Sequence, residues 1–226
     1  MDNSCGKRPR PNQRMFGYFE VVFDAAYLIL ALAIGLFILQ KATLPVQRMA
    51  GLMALVLGFG DMFHLLPRMA AVVTHKETEL QKALGFGKLV TSITMTVFYL
   101  LLWHVGLLLF SPGLSSGWTA LAYLLAFVRI ALCLPRQNRW YDPAPSVRWA
   151  VYRNIPFLLL GLLVAGLFGV YGRATPTFWL VCPAVLLSFG FYLPVVLAAH
   201  KYRMLGMLML PKTCMYLWIL LLCVSI

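Results

Sequence analysis

Residues 25–39 read AAYLILALAIGLFIL, an unbroken run with no charge and no proline. Extended to 17–40, it reaches the roughly 20 mostly apolar residues that a helix needs to cross about 30 Å of hydrocarbon. Six more stretches of this kind follow, at 48–73, 85–110, 117–134, 149–171, 177–199 and 205–225. Turn-like segments such as Ser111-Pro112-Gly113 and Arg173-Ala174-Thr175-Pro176 separate them, and the longest connection runs from Pro135 to Arg148. The predicted fold is therefore all-α: a polytopic seven-transmembrane-helix bundle over 17–226, one domain behind a basic cytoplasmic tail at 1–16. Composition agrees. Of 226 residues, 62% are hydrophobic and 12% charged, against about half and a quarter in soluble domains. That excludes a soluble globular enzyme, a disordered chain and a secreted disulfide scaffold. The five cysteines (Cys5, Cys133, Cys182, Cys214, Cys223) form no CxxC pair and read as small buried residues.

The 19 basic residues far outnumber the 7 acidic ones, and their placement predicts orientation. Lys7, Arg8, Arg10 and Arg14 lie in the tail. Lys76 and Lys82 are in the second connection, Arg136, Arg139 and Arg148 in the fourth, Lys201 and Arg203 in the sixth. The opposite side holds only Lys41, Arg48 and Arg173. By the positive-inside rule the N-terminus is inside and the C-terminus outside. The basic excess thus meets anionic lipid headgroups, and nucleic acid is not an expected partner. Trp118, Trp179, Trp140 and Trp149 stand at span ends as interfacial anchors.

Ionisable groups inside a span cost roughly 2.5–3.5 kcal/mol each on insertion scales, so each needs a reason. The expected inner half of the bundle collects Glu20, Asp24, His64, Arg68, Lys88, Arg129, Arg153 and Lys212, with Asp61 near the midplane. Glu20 and Asp24 share a helix face at i,i+4; Asp61, His64 and Arg68 share another at i, i+3 and i+7. Lys88, Ser92, Met95 and Tyr99 form a third stripe, Lys212 and Tyr216 a fourth. Such stripes face protein or water, never lipid. Pro67, Pro156, Pro194 and Pro211 fall at the same depth and are expected to free backbone carbonyls and kink their helices. Together these residues predict a polar cavity toward the cytoplasm. Five cations (Arg68, Lys88, Arg129, Arg153, Lys212) face three carboxylates (Glu20, Asp24, Asp61), with Asp24 or Asp61 expected to pair with Lys212 or Lys88. Arg129 is close enough to a span end to snorkel. The surplus predicts an anionic or amphiphilic small-molecule ligand, held by Arg68, Lys88, Arg153, Asn154, Lys212 and Tyr216, for transport or sensing. Asp61 and His64 are then the proton-linked groups.

Other chemistries use the same residues. An intramembrane hydrolase acting on lipid would take His64 as base, oriented by Asp61, with Ser92 as nucleophile; no GxSxG motif accompanies them. Asp61-x-x-His64 supplies only two metal ligands on one face, with Glu20 or Asp24 as a third, so no metal site is expected. His104 lies in the outer half and reads as a hydrogen-bonded packing residue.

The stretches 60–68 (GDMFHLLPR), 85–92 (GFGKLVTS), 152–156 (YRNIP) and 206–213 (GMLMLPKT) together resemble an uncharacterised bacterial seven-transmembrane family. The resemblance covers most of the chain and implies a multi-pass protein of the bacterial inner membrane. More distantly, Lys212-Thr213 with Trp218, and Phe63-His64, are similar to heliorhodopsins, inverted seven-helix retinal proteins. That resemblance implies a retinal linkage at Lys212, but Lys88 stands where those proteins place a counter-ion carboxylate. A third resemblance, in span number and polar site, is to the progestin-and-adipoQ-receptor and alkaline-ceramidase hydrolases. Their zinc-binding histidines of the last span are replaced here by Lys212 and Tyr216, which departs from a zinc mechanism.

Overall fold

The computed structural model describes residues 11–142, 146–175, 177–198 and 203–226, and among these there are seven long helices and no strand. They are α1 (Pro11–Lys41), α2 (Pro45–Thr74), α3 (Gln81–Phe110), α4 (Ser116–Cys133), α5 (Val147–Tyr171), α6 (Val181–Ala198) and α7 (Met209–Cys223). Counting the 3-10 turns that lead into α6 and α7, all seven are long and apolar enough to cross a membrane. Val22, Ile29, Phe127 and Val170 are two-thirds or more exposed; such side chains on the outer wall suit hydrocarbon better than water. The basic residues Lys7, Arg8, Arg10 and Lys201 lie outside the described residues.

Each helix packs on the next, α7 returns to α1 and α2, and α3 also reaches α5, which closes the ring. The start of α1 and the α2–α3, α4–α5 and α6–α7 connections therefore share one end, here the N-terminal end. The other connections and the C-terminus share the opposite end, where Gln47 Nε2 donates to the Ile226 carbonyl. Gln47 also begins α2: its Oε1 accepts the Thr43 and Leu44 backbone N–H groups, while Pro45 supplies a first-turn residue with no N–H to satisfy. The helices outrun the apolar windows at some ends. α3 starts at Gln81 rather than 85, because Lys82 extends toward water without interrupting the backbone.

The α2–α3 seam depends on glycine. Pro67 lies inside α2 and deprives the Phe63 carbonyl of its helical donor. Gly87 packs its bare Cα against that carbonyl, where a Cβ would overlap it. One seam thus answers both the proline and the close approach. Pro156 and Pro194 lie inside α5 and α6 as expected. Pro211 does not kink a helix. It falls in the first turn of α7, behind the 3-10 segment Arg203–Leu208. There its missing N–H would have had no α-helical partner, so proline starts the helix rather than bending it.

Mid-bundle, buried aromatics form a dry floor. Tyr99 meets Phe157 edge-on at 5.0 Å, Phe157 meets Phe189 at 5.0 Å, and Phe98 meets Tyr216 at 5.7 Å. Offset and edge contacts of this kind add to area burial. The polar residues stand on the N-terminal side of this floor.

Candidate functional site

Glu20 and Arg68 join α1 to α2 by an ion pair, Arg68 Nε to Glu20 Oε1 at 2.5 Å. Deeper on the same helices, Tyr27 donates its hydroxyl to Asp61 Oδ2 at 2.6 Å. Asp24 is buried and has neither an ion pair nor a hydrogen bond among the described residues. The expected pairing of Asp24 or Asp61 with Lys212 or Lys88 is therefore not formed at contact distance. Glu20 takes the cation instead, because it and Arg68 lie at matching depth on adjacent helices. Tyr27→Phe removes the one hydrogen bond that the Asp61 carboxylate receives among the described residues. The expected cost is about 1–3 kcal/mol, read as a lower unfolding midpoint in detergent; an unchanged midpoint would show that bond to be idle.

Arg129 does not snorkel. It is buried on α4 at 2% exposure, with Nε donating to Thr96 Oγ1 at 2.8 Å. Its Nη1 donates to the Arg153 carbonyl and to Asn154 Oδ1, each at 3.1 Å. Its guanidinium also lies 3.5 Å over the Phe157 ring. Tyr192 donates to the same Asn154 oxygen. Three hydrogen bonds and an aromatic face hold a charge that lipid would reject, so it stays inside. Arg153 and Asn154, expected as ligand contacts, are both engaged with protein. Arg153 Nη1 donates to Asn138 Oδ1 at 2.7 Å and its guanidinium stacks 4.0 Å over Trp140. Trp140 is likewise not an interfacial anchor: it is buried, with Nε1 donating to the Cys133 carbonyl. Trp118 and Trp179 are half exposed at the opposite end.

What remains is a smaller set. Lys88, on α3, has no ion pair or side-chain hydrogen bond among the described residues, and its charged neighbours are Arg68 and Arg153. Lys212, on α7, is buried and touches aromatic faces, Tyr192 at 4.7 Å and Tyr216 at 5.1 Å. Asp61 and Arg129 are its charged neighbours. His64 sits among Arg68, Lys88 and Lys212, and its Nδ1 is buried with no hydrogen-bond partner among the described residues. Ser92 is turned away from His64: its hydroxyl donates to the Lys88 carbonyl at 2.8 Å. No hydrogen bond links His64 to Asp61 or Ser92 among the described residues, so a nucleophile–base–carboxylate chain is not assembled. No three His, Cys, Asp or Glu side chains converge there among the described residues either. His104 bonds the Leu100 carbonyl and the Tyr123 hydroxyl, the packing role expected of it.

Sequence reasoning missed Tyr27, Thr96, Asn138 and Tyr192. Thr96 was within reach, since it continues the Lys88–Ser92 stripe by one turn. Tyr27, one turn beyond Asp24, was too. Asn138 and Tyr192 carried no periodic signal. Two grooves of about 340 and 320 Å³ lie elsewhere, on the outer α2–α3 face, lined by residues such as Phe59, Phe63, Leu66 and Phe86. None of the charged residues lines them. Comparison with known protein families, curated proteins and solved structures finds no match to this chain.

Proposed function

We propose that this chain is a multi-pass protein of the bacterial cytoplasmic membrane that binds an anionic or amphiphilic small molecule from the cytoplasmic side, for transport or sensing. The N-terminal end of the bundle is the cytoplasmic one, supported by Lys76, Lys82, Arg136, Arg139 and Arg148 in its connections and by the positive-inside rule. The observation that carries the reading is Lys88. It is half-buried, and its charged neighbours are cations. A partly buried charge ordinarily keeps an opposite partner. An anion seated between Lys88, Arg68 and Lys212 supplies it, and the unpartnered His64 Nδ1 offers one more polar contact. Asp61, beside Lys212, and Asp24, beside Arg68, are the groups that would exchange protons as binding proceeds. The Ser92 and Asp61 bonds weigh against hydrolysis at this site, because both groups are already spent on backbone and tyrosine.

Thermal unfolding of the purified protein with laurate, dodecanol or butyrate tests this. A ligand that binds only the folded state at one hundred times its Kd stabilises by about 2.7 kcal/mol. Laurate is expected to raise the midpoint and dodecanol to leave it unchanged. Butyrate acting as well as laurate would assign the site to small anions without a chain. No shift with either anion would sink the reading.

A further inference from the structure

The α4–α5 connection is folded back into the bundle rather than left in water. Asn138 is fully buried, and its amide donates to the carbonyls of Leu132, Cys133 and Pro135 at 2.8, 3.2 and 3.0 Å. These include carbonyls that the end of α4 leaves without helical donors. The preceding 3-10 turn, Arg136–Asn138, closes on Arg139 in the left-handed region, φ 52°. That reversal sends Trp140 inward. Its indole donates to Cys133 and its backbone carbonyl rests on Gly85 of α3, where any Cβ would collide with it. Gly85 and Lys88 lie at i,i+3, on one face of α3, with Lys88 one turn deeper. The segment 134–142 therefore covers the α3–α4–α5 side of the N-terminal end, above Lys88.

One side chain ties this cover to the transmembrane helices through its charge. Arg153 of α5 is held between Asn138 Oδ1 and the Trp140 ring, and no carboxylate pairs with it among the described residues. Arg153 is fastened to the segment by a hydrogen bond to a neutral acceptor and by stacking, without the opposite charge that a carboxylate would supply. This contact adds to the Asn138 and Trp140 bonds to α4 and carries the charge that ties the segment to α5.

We infer that residues 134–142 form a releasable plug over the polar cluster, latched by Arg153 through Asn138 and Trp140, and that opening it admits solutes to Lys88. The inference rests on reading that cluster as the binding site, but its test needs no ligand. Cys133 lies under the plug and is fully buried, so it reports opening. In protein carrying Cys5→Ser, Cys182→Ser, Cys214→Ser and Cys223→Ser, Cys133 is expected to react slowly with a charged maleimide. Adding Arg153→Gln or Trp140→Leu is expected to speed labelling at least tenfold with the helical circular dichroism unchanged. On a cysteine-free background, Lys88→Cys is expected to show the same acceleration. Two independent latch variants guard against one of them failing to fold. Folded variants that label Cys133 no faster than the parent would overturn the plug. So would a parent whose Cys133 already labels as fast as an exposed cysteine. Acceleration at Cys133 without acceleration at position 88 would overturn the claim that the plug guards Lys88. Anion binding is measured separately by the laurate shift, so either idea can fail alone.

Discussion

Lys88→Met is expected to make the ligand-free protein more stable while abolishing the stabilisation by laurate. The reason is the company Lys88 keeps: Arg68 and Arg153 are near it, and no carboxylate forms an ion pair with it among the described residues. Like charges several ångströms apart in a partly buried setting repel by on the order of 1–2 kcal/mol. A methionine of similar length removes that repulsion and keeps the packing. For a protein of this size, 1 kcal/mol moves the unfolding midpoint by roughly 2–4 °C. A residue kept for structure loses stability when replaced; one kept for binding can gain it. If Lys88→Met lowers the midpoint in the absence of ligand, Lys88 is part of the framework and the proposed site is wrong. If it raises the midpoint but laurate still stabilises the variant, the anion sits elsewhere.

The second large effect is on folding. Gly87→Val is expected to destabilise the bundle by about 3 kcal/mol or more, at the upper end of overpacking costs. The neighbour a new side chain meets is the Phe63 carbonyl and the His64 Cα, which are backbone atoms and cannot rotate aside. α2 and α3 must separate, and the carbonyl freed by Pro67 then loses its cover. Gly166→Ala is the control, because a Cβ there meets nothing within 4 Å. Unfolding midpoints in one detergent decide it. Equal midpoints for Gly87→Val and wild type would mean that the seam is looser than its geometry indicates.

The span count was legible because hydrocarbon imposes a length and a composition that no other requirement does. Each of the seven apolar windows corresponds to a helix in the structure. The clustering of charges at one depth was legible too, since insertion cost makes every such residue conspicuous. Which charge meets which partner was not. Arg129 and Arg153 looked like ligand contacts or snorkelling groups, yet their partners are a threonine, an asparagine, backbone carbonyls and aromatic faces. Neutral partners leave no complementary charge in the sequence to point at them. Trp140 was misread for a related reason. An indole beside a basic loop suits the interface equally well, and only the left-handed turn at Arg139 directs it inward. Pro211 shows the limit of depth as a guide: a proline's effect depends on its distance from the helix start, and a short 3-10 segment moved that start.

The aromatic floor has an electrical consequence. A transmembrane voltage falls mainly across the driest part of its path, and moving one charge through the whole drop takes about 2.3 kcal/mol per 100 mV. Tyr99, Phe157 and Phe189 occupy that dry layer, with the fixed positive charge of Arg129 resting on Phe157. Under the proposed function, an anion bound at Lys88 would stop short of the layer, and its binding would be nearly insensitive to voltage. Carrying it farther would mean parting the rings and crossing most of the drop in one step. On the proposed reading, occupancy of the site would follow the concentration of the ligand, largely independent of the energised state of the membrane.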